Sequence, residues 1–258
     1  MDRDKEYSML ENPNAIEKTL LIMQAFTEEP FEYTAKELSD KLSISKPTIH
    51  RILKILETNK FVKKTLDMNK YTVGYVSYIV GMQYAKRQDV YSEIRNIIDN
   101  VSKLTGQQVG YTVIEGDNVV SIYESEFHNK TINYMPGEIY NINCGVYGKV
   151  LMSYSYSIKE LEKLVYEIEL KSVTPKAIID PDKLLEEYKM IRKKGYSRSD
   201  GEYIEGTIGL GAPTFYADGK VHGCVGLSGI KSDSFYSNES KYLQEVLKGA
   251  EEISKLLI

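Results

Sequence analysis

Within KPTIHRILKILET, residues 46–58, four donor side chains (Lys46, His50, Arg51 and Lys54) fall at three- and four-residue steps. In a helix that spacing gathers them on one side, where ammonium, guanidinium and imidazole groups suit phosphate oxygens and base edges. Ile49, Ile52, Leu53 and Leu56 recur with the same period on the other side, which marks a face for burial. Ser45 stands at the N-cap position with Thr48 in the first turn, and Pro47 is tolerated there because no helical hydrogen bond is lost. Asn59 marks the end, as a residue that accepts a left-handed conformation. Residues 61–65 and 70–73 then flank the turn-prone Asp67-Met68-Asn69, which predicts a basic hairpin carrying Lys63 and Lys64. A preceding helix, a short turn, this helix and the hairpin together predict a winged helix-turn-helix that reads double-stranded DNA. Its candidate contacts are Ser45, Lys46, Thr48, His50, Arg51, Lys54, Lys63 and Lys64.

Two other groupings invite chemistry. Cys144 precedes a glycine turn, and Cys224 lies two residues from His222, so each has the outline of a nucleophile. At i, i+2 on a strand His222 and Cys224 face the same side among small neighbours, and a cysteine is commonly just a small buried hydrophobe. No triad accompanies either, which leaves catalysis through Cys144 or Cys224 as the remote alternative. His50, His128 and His222 are scattered, and the two cysteines neither frame a disulfide network nor have metal-ligand spacing. No metal, cofactor or enzymatic activity is expected.

The charge is segregated along the chain. Residues 41–75 hold eight Lys/Arg against two acids, residues 1–40 hold four against ten, and the whole chain has a net charge of −4. A local basic footprint on an acidic protein suits site-specific binding. The length, 258 residues, suits about two domains. With 42% apolar and 27% charged residues, no long uncharged apolar run and no secretory N-terminus, a cytoplasmic globular protein that does not engage a membrane is expected.

Taken in order, residues 1–11 form an acidic lead-in, and Asn12-Pro13 opens a first helix with Ile16, Leu20 and Met23 on one face, ending near Phe26. Thr34-Ala35-Lys36-Glu37 is a capping box for a short second helix whose Leu38 and Leu42 pack on the basic helix after a Ser43-Ile44 turn. Beyond the hairpin, residues 75–89 are apolar on more than one face, which suits either a plain core helix or, the preferred reading, a linker helix packed against a second copy of the chain. An α+β domain with an antiparallel sheet follows. Its expected elements are a helix with Ile94, Ile97, Ile98, Val101 and Leu104 inward, and strands over 107–115 and 118–124 around Gly116-Asp117. A short strand over 131–135, a loop over 141–149, a helix capped by Ser157 and Glu160, and a helix from Asp180-Pro181 to Gly195 come next. Strands over 209–216 and 221–228 join at Asp218-Gly219, before a last helix with Leu243, Val246, Leu247, Ala250, Ile253 and Leu257 on one stripe. The expected division is a winged helix at 12–74, a linker helix at 75–89 and a second domain at 90–258.

SKPTIHRILKILETNKFV, Tyr71-x-x-Gly74, Gly148-Lys149-Val150-Leu151 and GYSRSDGEYIEGTIGLGAPTFYADGKVHGCVGLSG together resemble the isocitrate-lyase-regulator (IclR) family, from about residue 12 to the C-terminus. The resemblance implies a bacterial one-component transcription factor with a winged helix, a linker helix and a GAF-like effector-binding domain. It implies dimers or dimers of dimers on partly palindromic operators. It also implies effector contacts at Tyr140, Val146, Tyr147, Ser199, Gly209, Gly226 and Ser228. Glu202 is either a further contact or a loop brace, and Tyr147 either a pocket wall or plain core. Relatives that bind small keto acids tend to carry small residues in place of Val146 and Tyr147, an Asp in place of Ser199, a Cys in place of Gly209 and a Ser in place of Gly226. Only Ser228 is kept here. A larger organic acid or an aromatic metabolite is therefore expected, its anionic end near the amides of 145–148 and Ser228, with the two glycines leaving volume. The other reading is a DNA-binding dimer whose C-terminal domain only oligomerises or binds protein.

Overall fold

The structure, a computed structural model, describes residues 13–65, 69–86, 89–116, 118–125, 134 and 136–257. The expected lead-in at 1–11, the tip of the hairpin turn at Asp67-Met68, Asp117, and the strand at 131–135 apart from Tyr134 lie outside these residues. Contacts divide the chain into two compact units, residues 2–88 and 89–258.

In the first unit α1 (Ala15–Ala25), α2 (Ala35–Leu42) and α3 (Lys46–Thr58) enclose one apolar core. The capping box of α2 closes in both directions, with Glu37 N donating to Thr34 Oγ1 at 3.1 Å and Thr34 N to Glu37 Oε2 at 2.7 Å. Ser43 takes a left-handed conformation (φ 54°) and turns the chain into α3, where Ile49, Ile52, Leu53 and Leu56 are buried as their period requires. The hairpin pairs β2 (Val62–Lys64) with β3 (Lys70–Val73), setting Lys63 opposite Thr72 and Lys64 opposite Tyr71. A two-residue β1 (Tyr33–Thr34) adds a strand on the other edge of β3 and is too short to show a period.

Three local expectations fail in this unit. Helix α1 buries Leu21, Ile22 and Ala25 instead, leaving Ile16 and Leu20 73% and 58% exposed. Asn59 is not left-handed: its side chain donates to Ile55 O at 2.8 Å, and Lys60 takes the positive φ of 65°. Ser45 occupies the N-cap position, but its hydroxyl meets that of Thr48 at 2.9 Å and caps no helix amide. After the hairpin, α4 (Tyr75–Lys86) starts against it, with Val76 N donating to Lys60 O. Gly74 makes that junction possible, because a Cβ there would come within 2.2 Å of Lys60 O.

The second unit is α5 (Asp89–Thr105), β4 (Gln108–Glu115), β5 (Asn118–Glu124), β6 (Ile139–Tyr140), α6 (Gly145–Ser155), α7 (Ile158–Glu167), α8 (Pro181–Lys194), β7 (Ser197–Asp200), β8 (Thr207–Phe215), β9 (Val221–Ile230) and α9 (Asp233–Ser254). Its six strands form one antiparallel sheet in the order β6-β5-β4-β9-β8-β7. Helices α5 and α9 cover one face, where Ile94, Ile98, Val246 and Ile253 meet Val109, Tyr111, Val225 and Leu227. Helix α6 covers the other, setting Val146, Tyr147 and Val150 over Val119 and Cys224, with α7 and α8 packed beyond it. The central strands are thus buried on both faces, so β4 and β8 lack the alternation of a half-exposed strand.

Several boundaries shift. Helix α6 begins at Gly145, inside the stretch expected to be a loop, and the short strands β6 and β7 carry no periodic signal. Leu104 and Leu247 are 46% and 38% exposed, at the edge of their helices' buried stripes.

Candidate functional site

Lys46, His50, Arg51 and Lys54 all stand exposed on the side of α3 away from its core, with Ser45 exposed and Thr48 half-buried at its start. Consecutive strand residues point to opposite faces, so Lys64 shares the side of buried Val62 and lies over the Tyr71 ring at 5.8 Å, while Lys63 points the other way. Two other cations of this basic segment are neutralised, Lys41 by Glu28 and Lys70 by Glu32, each at 2.8 Å. Among the described residues no carboxylate pairs with Lys46, Arg51, Lys54, Lys63 or Lys64. Five of this unit's cations without a described carboxylate partner thus stand on α3 and β2.

In the second unit, cross-strand register assembles a site. Ser199 pairs with Gly209, Gly209 with Ser228, and Ser228 with Gln108, forming one row across β7, β8, β9 and β4. Ser199, Gly209 and Ser228 line a cavity whose roof is the first turn of α6, Gly145, Val146 and Tyr147. Cys144, the N-cap residue, makes no side-chain bond to the helix; the Gly145 amide at this end is bonded to the Glu202 carboxylate, beside the cavity that Gly145 lines. Tyr134, Tyr140, Tyr203, Cys144 and Thr207 complete the wall. The tyrosines pack edge-on or tilted against one another: Tyr140 lies 4.8 Å from Tyr147, 5.7 Å from Tyr134 and 5.5 Å from Tyr203 between ring centres.

The next row corrects the expected volume. Gly211, Gly226 and Gly110 are paired in register across β8, β9 and β4. A Cβ at Gly211 would meet Val146 at 2.8 Å, one at Gly226 would meet Tyr147 at 2.2 Å, and one at Gly110 would meet the Glu124 carboxyl at 2.3 Å. A Cβ at Gly209 would also approach Val146, at 3.0 Å. The space over Gly209 and Gly226 is therefore filled by Val146 and Tyr147, whose hydroxyl donates to Gly226 O at 3.3 Å. Gly226 lies under Tyr147 rather than at the cavity, which encloses only about 20 Å³, room for about one water.

Glu202 also lies off the cavity and acts as a brace. Lys149, fully buried on α6, donates to Glu202 Oε1 at 2.8 Å, Glu187 Oε1 at 2.9 Å and Arg198 O at 3.1 Å. Burial pushes the Glu202 carboxyl up, against the opposing pull of Lys149. A lysine in the otherwise apolar GVYGKVLMSYS was the sequence signal for a buried ion pair. Glu124 was missed for lack of such a signal. It is buried beside the cavity and accepts from Ser121 Oγ at 3.0 Å, Tyr140 OH at 3.2 Å and Gln108 Nε2 at 3.4 Å. Burial raises its carboxyl to about 7.

Among the described residues neither cysteine stands beside a histidine as a nucleophile and base would. Burial pushes the Cys144 thiol up to about 12 and the Cys224 thiol higher still, away from the nucleophilic thiolate. His222 is the extra residue of a β-bulge, since Thr214 pairs with Gly223 and Phe215 with Val221. Its Nδ1 lies 2.5 Å from Tyr111 OH and its ring stacks on Tyr111, whereas Cys224 packs with Val146 and Tyr147. The expectation that His222 and Cys224 share a face is thus overturned by the bulge.

Residues 15–65 match the family model of the IclR helix-turn-helix domain, and residues 82–255 match that of the bacterial transcriptional regulator IclR C-terminal region. The HTH-type transcriptional regulator BhcR of Paracoccus denitrificans is 23% identical over 223 residues, which span 86% of this chain and 79% of that protein. An IclR transcriptional regulator from Alicyclobacillus acidocaldarius superposes with a TM-score of 0.82 at 20% identity, over 95% of this chain and 99% of that one. An IclR homologue from Microbacterium hydrocarbonoxydans, complexed with 4-hydroxybenzoate, superposes with a TM-score of 0.79 at 15% identity, over 95% and 99%. At these identities the superpositions carry the fold, and the family models, which together span most of the sequence, carry the family. This chain, with its helix-turn-helix and its C-terminal effector domain, belongs to the IclR family of bacterial transcriptional regulators.

Proposed function

We propose that this regulator acts in the cytoplasm as a homodimer or dimer of dimers on a partly palindromic operator. In this reading residues 12–74 bind DNA, 75–89 link and help to dimerise, and 90–258 bind an organic acid or aromatic metabolite. The carrying observation is the cluster of cations on α3 and β2 that no described carboxylate pairs, set apart from Lys41 and Lys70, which acids neutralise. Arg51→Ala is expected to weaken specific operator binding by about 1–3 kcal/mol if the guanidinium reads a guanine. A variant that footprints like wild type would overturn the assignment. Dimerisation is supported by apolar side chains left in water, Tyr75, Tyr78, Ile79 and Val80 on α4 and Ile16 and Leu20 on α1. Light scattering that shows a monomer at micromolar concentration would count against it.

For the effector, support comes from the first turn of α6 lining one cavity with Ser199 and Ser228, a setting suited to a carboxylate. The aromatic acid held by the Microbacterium homologue is of this chemistry. Because the cavity is small, a metabolite enters by displacing tyrosines of the wall, which couples binding to a rearrangement. Such a ligand need favour one arrangement by only a few kcal/mol to shift DNA affinity.

A further inference from the structure

The row Ser199, Gly209, Ser228 does not stop at the cavity; its fourth member is Gln108, 4% exposed and in register with Ser228. Among the described residues Gln108 Oε1 is buried with no hydrogen-bond partner. Its Nε2 makes two bonds near the limit of length, 3.4 Å to Glu124 Oε2 and 3.4 Å to Tyr134 O. Tyr134 and Tyr140 are cavity wall, and the Tyr140 hydroxyl is bonded to Glu124. Tyr140 lies on the two-residue edge strand β6, so its ring is among the parts of the wall least held by the sheet. When such a ring moves, an amide and a carboxyl stand open at the end of the row.

The geometry points to Gln108 and Glu124 as the far pole of the effector cavity, receiving a hydroxyl or amino group that the effector carries opposite its carboxylate. This deepens, and rests on, the reading of the C-terminal cavity as the effector site. A buried polar atom without a partner is costly, and here it sits in register with the cavity residue Ser228. Here the amide oxygen is left over, and a carboxyl is kept next to the cavity where an apolar side chain would pack more cheaply. The Glu124 carboxyl, raised to about 7 by burial, can accept from a hydroxyl as an anion or pair with a protonated amine. The two poles make the site selective for bifunctional acids, because an analogue lacking the far donor leaves both groups unpaired.

The test is calorimetry at pH 7 on the full chain with matched acids: benzoate, 4-methylbenzoate and 4-hydroxybenzoate, then hexanoate and 6-hydroxyhexanoate, with pyruvate and glyoxylate as small acids. The hydroxy acid of at least one set is expected to bind about tenfold or more tightly than its partners lacking the hydroxyl. Gln108→Leu and Glu124→Leu, checked for folding by circular dichroism, should erase that preference, while Ser228→Ala weakens all members alike. The wild-type comparison needs no variant, so a misfolded substitution does not blunt it. Equal binding within both sets, or a preference that survives both substitutions, overturns the far pole and leaves the effector site standing. If neither set binds, or if only pyruvate or glyoxylate binds and Ser228→Ala makes no difference, the effector reading falls and this proposal with it.

Discussion

The N-terminal and C-terminal units use polar side chains in opposite ways. On α3 and β2 the cations stand in water, with Arg51 exposed and Lys63 pointing off the hairpin, and the core beneath them is wholly apolar. In the C-terminal unit the decisive polar groups are inside: Lys149, Glu124, Gln108 and Ser228 are all more than nine-tenths buried. An exposed cation contributes to binding and little to folding, whereas a buried charge belongs to the fold itself. The lesson is that the proposed DNA-reading face can be altered with little effect on the scaffold, whereas changes at the proposed effector cavity also bear on the fold.

That contrast can be broken most forcefully at Lys149. Lys149→Met strands Glu202 in the interior, and urea unfolding is expected to show a loss of about 3–5 kcal/mol, against less than about 0.5 kcal/mol for Arg51→Ala. Equal losses would dissolve the distinction. Next in size is a pH effect from Glu124. Its carboxyl rises from the ordinary 4.5 to about 7 on burial, so the folded state holds a proton that the unfolded state releases. Its contribution is full below about pH 4.5 and is lost as pH rises through about 7, a change of about 3 kcal/mol. Glu124→Gln should flatten that stretch of the melting-temperature profile; an unchanged slope would show that Glu124 is not its source.

A smaller effect sharpens the packing side. Gly226→Ala drives a methyl into Tyr147 and is expected to cost about 1–3 kcal/mol, partly relieved by Tyr147→Leu in the double variant. Strictly additive losses would mean that the two do not touch. The smallest effect lies on the exposed side, where Lys63→Ala should weaken binding to all DNA sequences alike and reduce the salt slope by about 1. A change in sequence preference instead would make Lys63 a base reader.

Much of the N-terminal unit was legible because its signals are local. The capping box at Thr34, the apolar stripe of α3 and the basic hairpin are each written within a few residues, and the structure keeps them. Helix α1 was misread because its sequence has apolar residues on two sides, and only the neighbouring helices decide which side, Leu21 and Ile22, turns inward. In the C-terminal unit Ser199, Gly209 and Ser228 were named in advance through a family resemblance, while Gln108 and Glu124 were not.

The sequence by itself determined which helices open on a capping box, which segment is basic, and that the length suits about two domains, since capping, periodicity and charge act over one or two turns of chain. Only the tertiary structure decided which residues form the cavity. Gln108, Ser199, Gly209 and Ser228 are scattered over 120 positions, and hydrogen-bonded register alone lines them up. It also decided that the space over the glycines is occupied, because Val146 and Tyr147 reach Gly211 and Gly226 only when α6 lies down on the sheet. The bulge at His222 shows the same dependence: one unpaired residue reverses a side chain's face, and pairing between strands is a property of the assembled sheet.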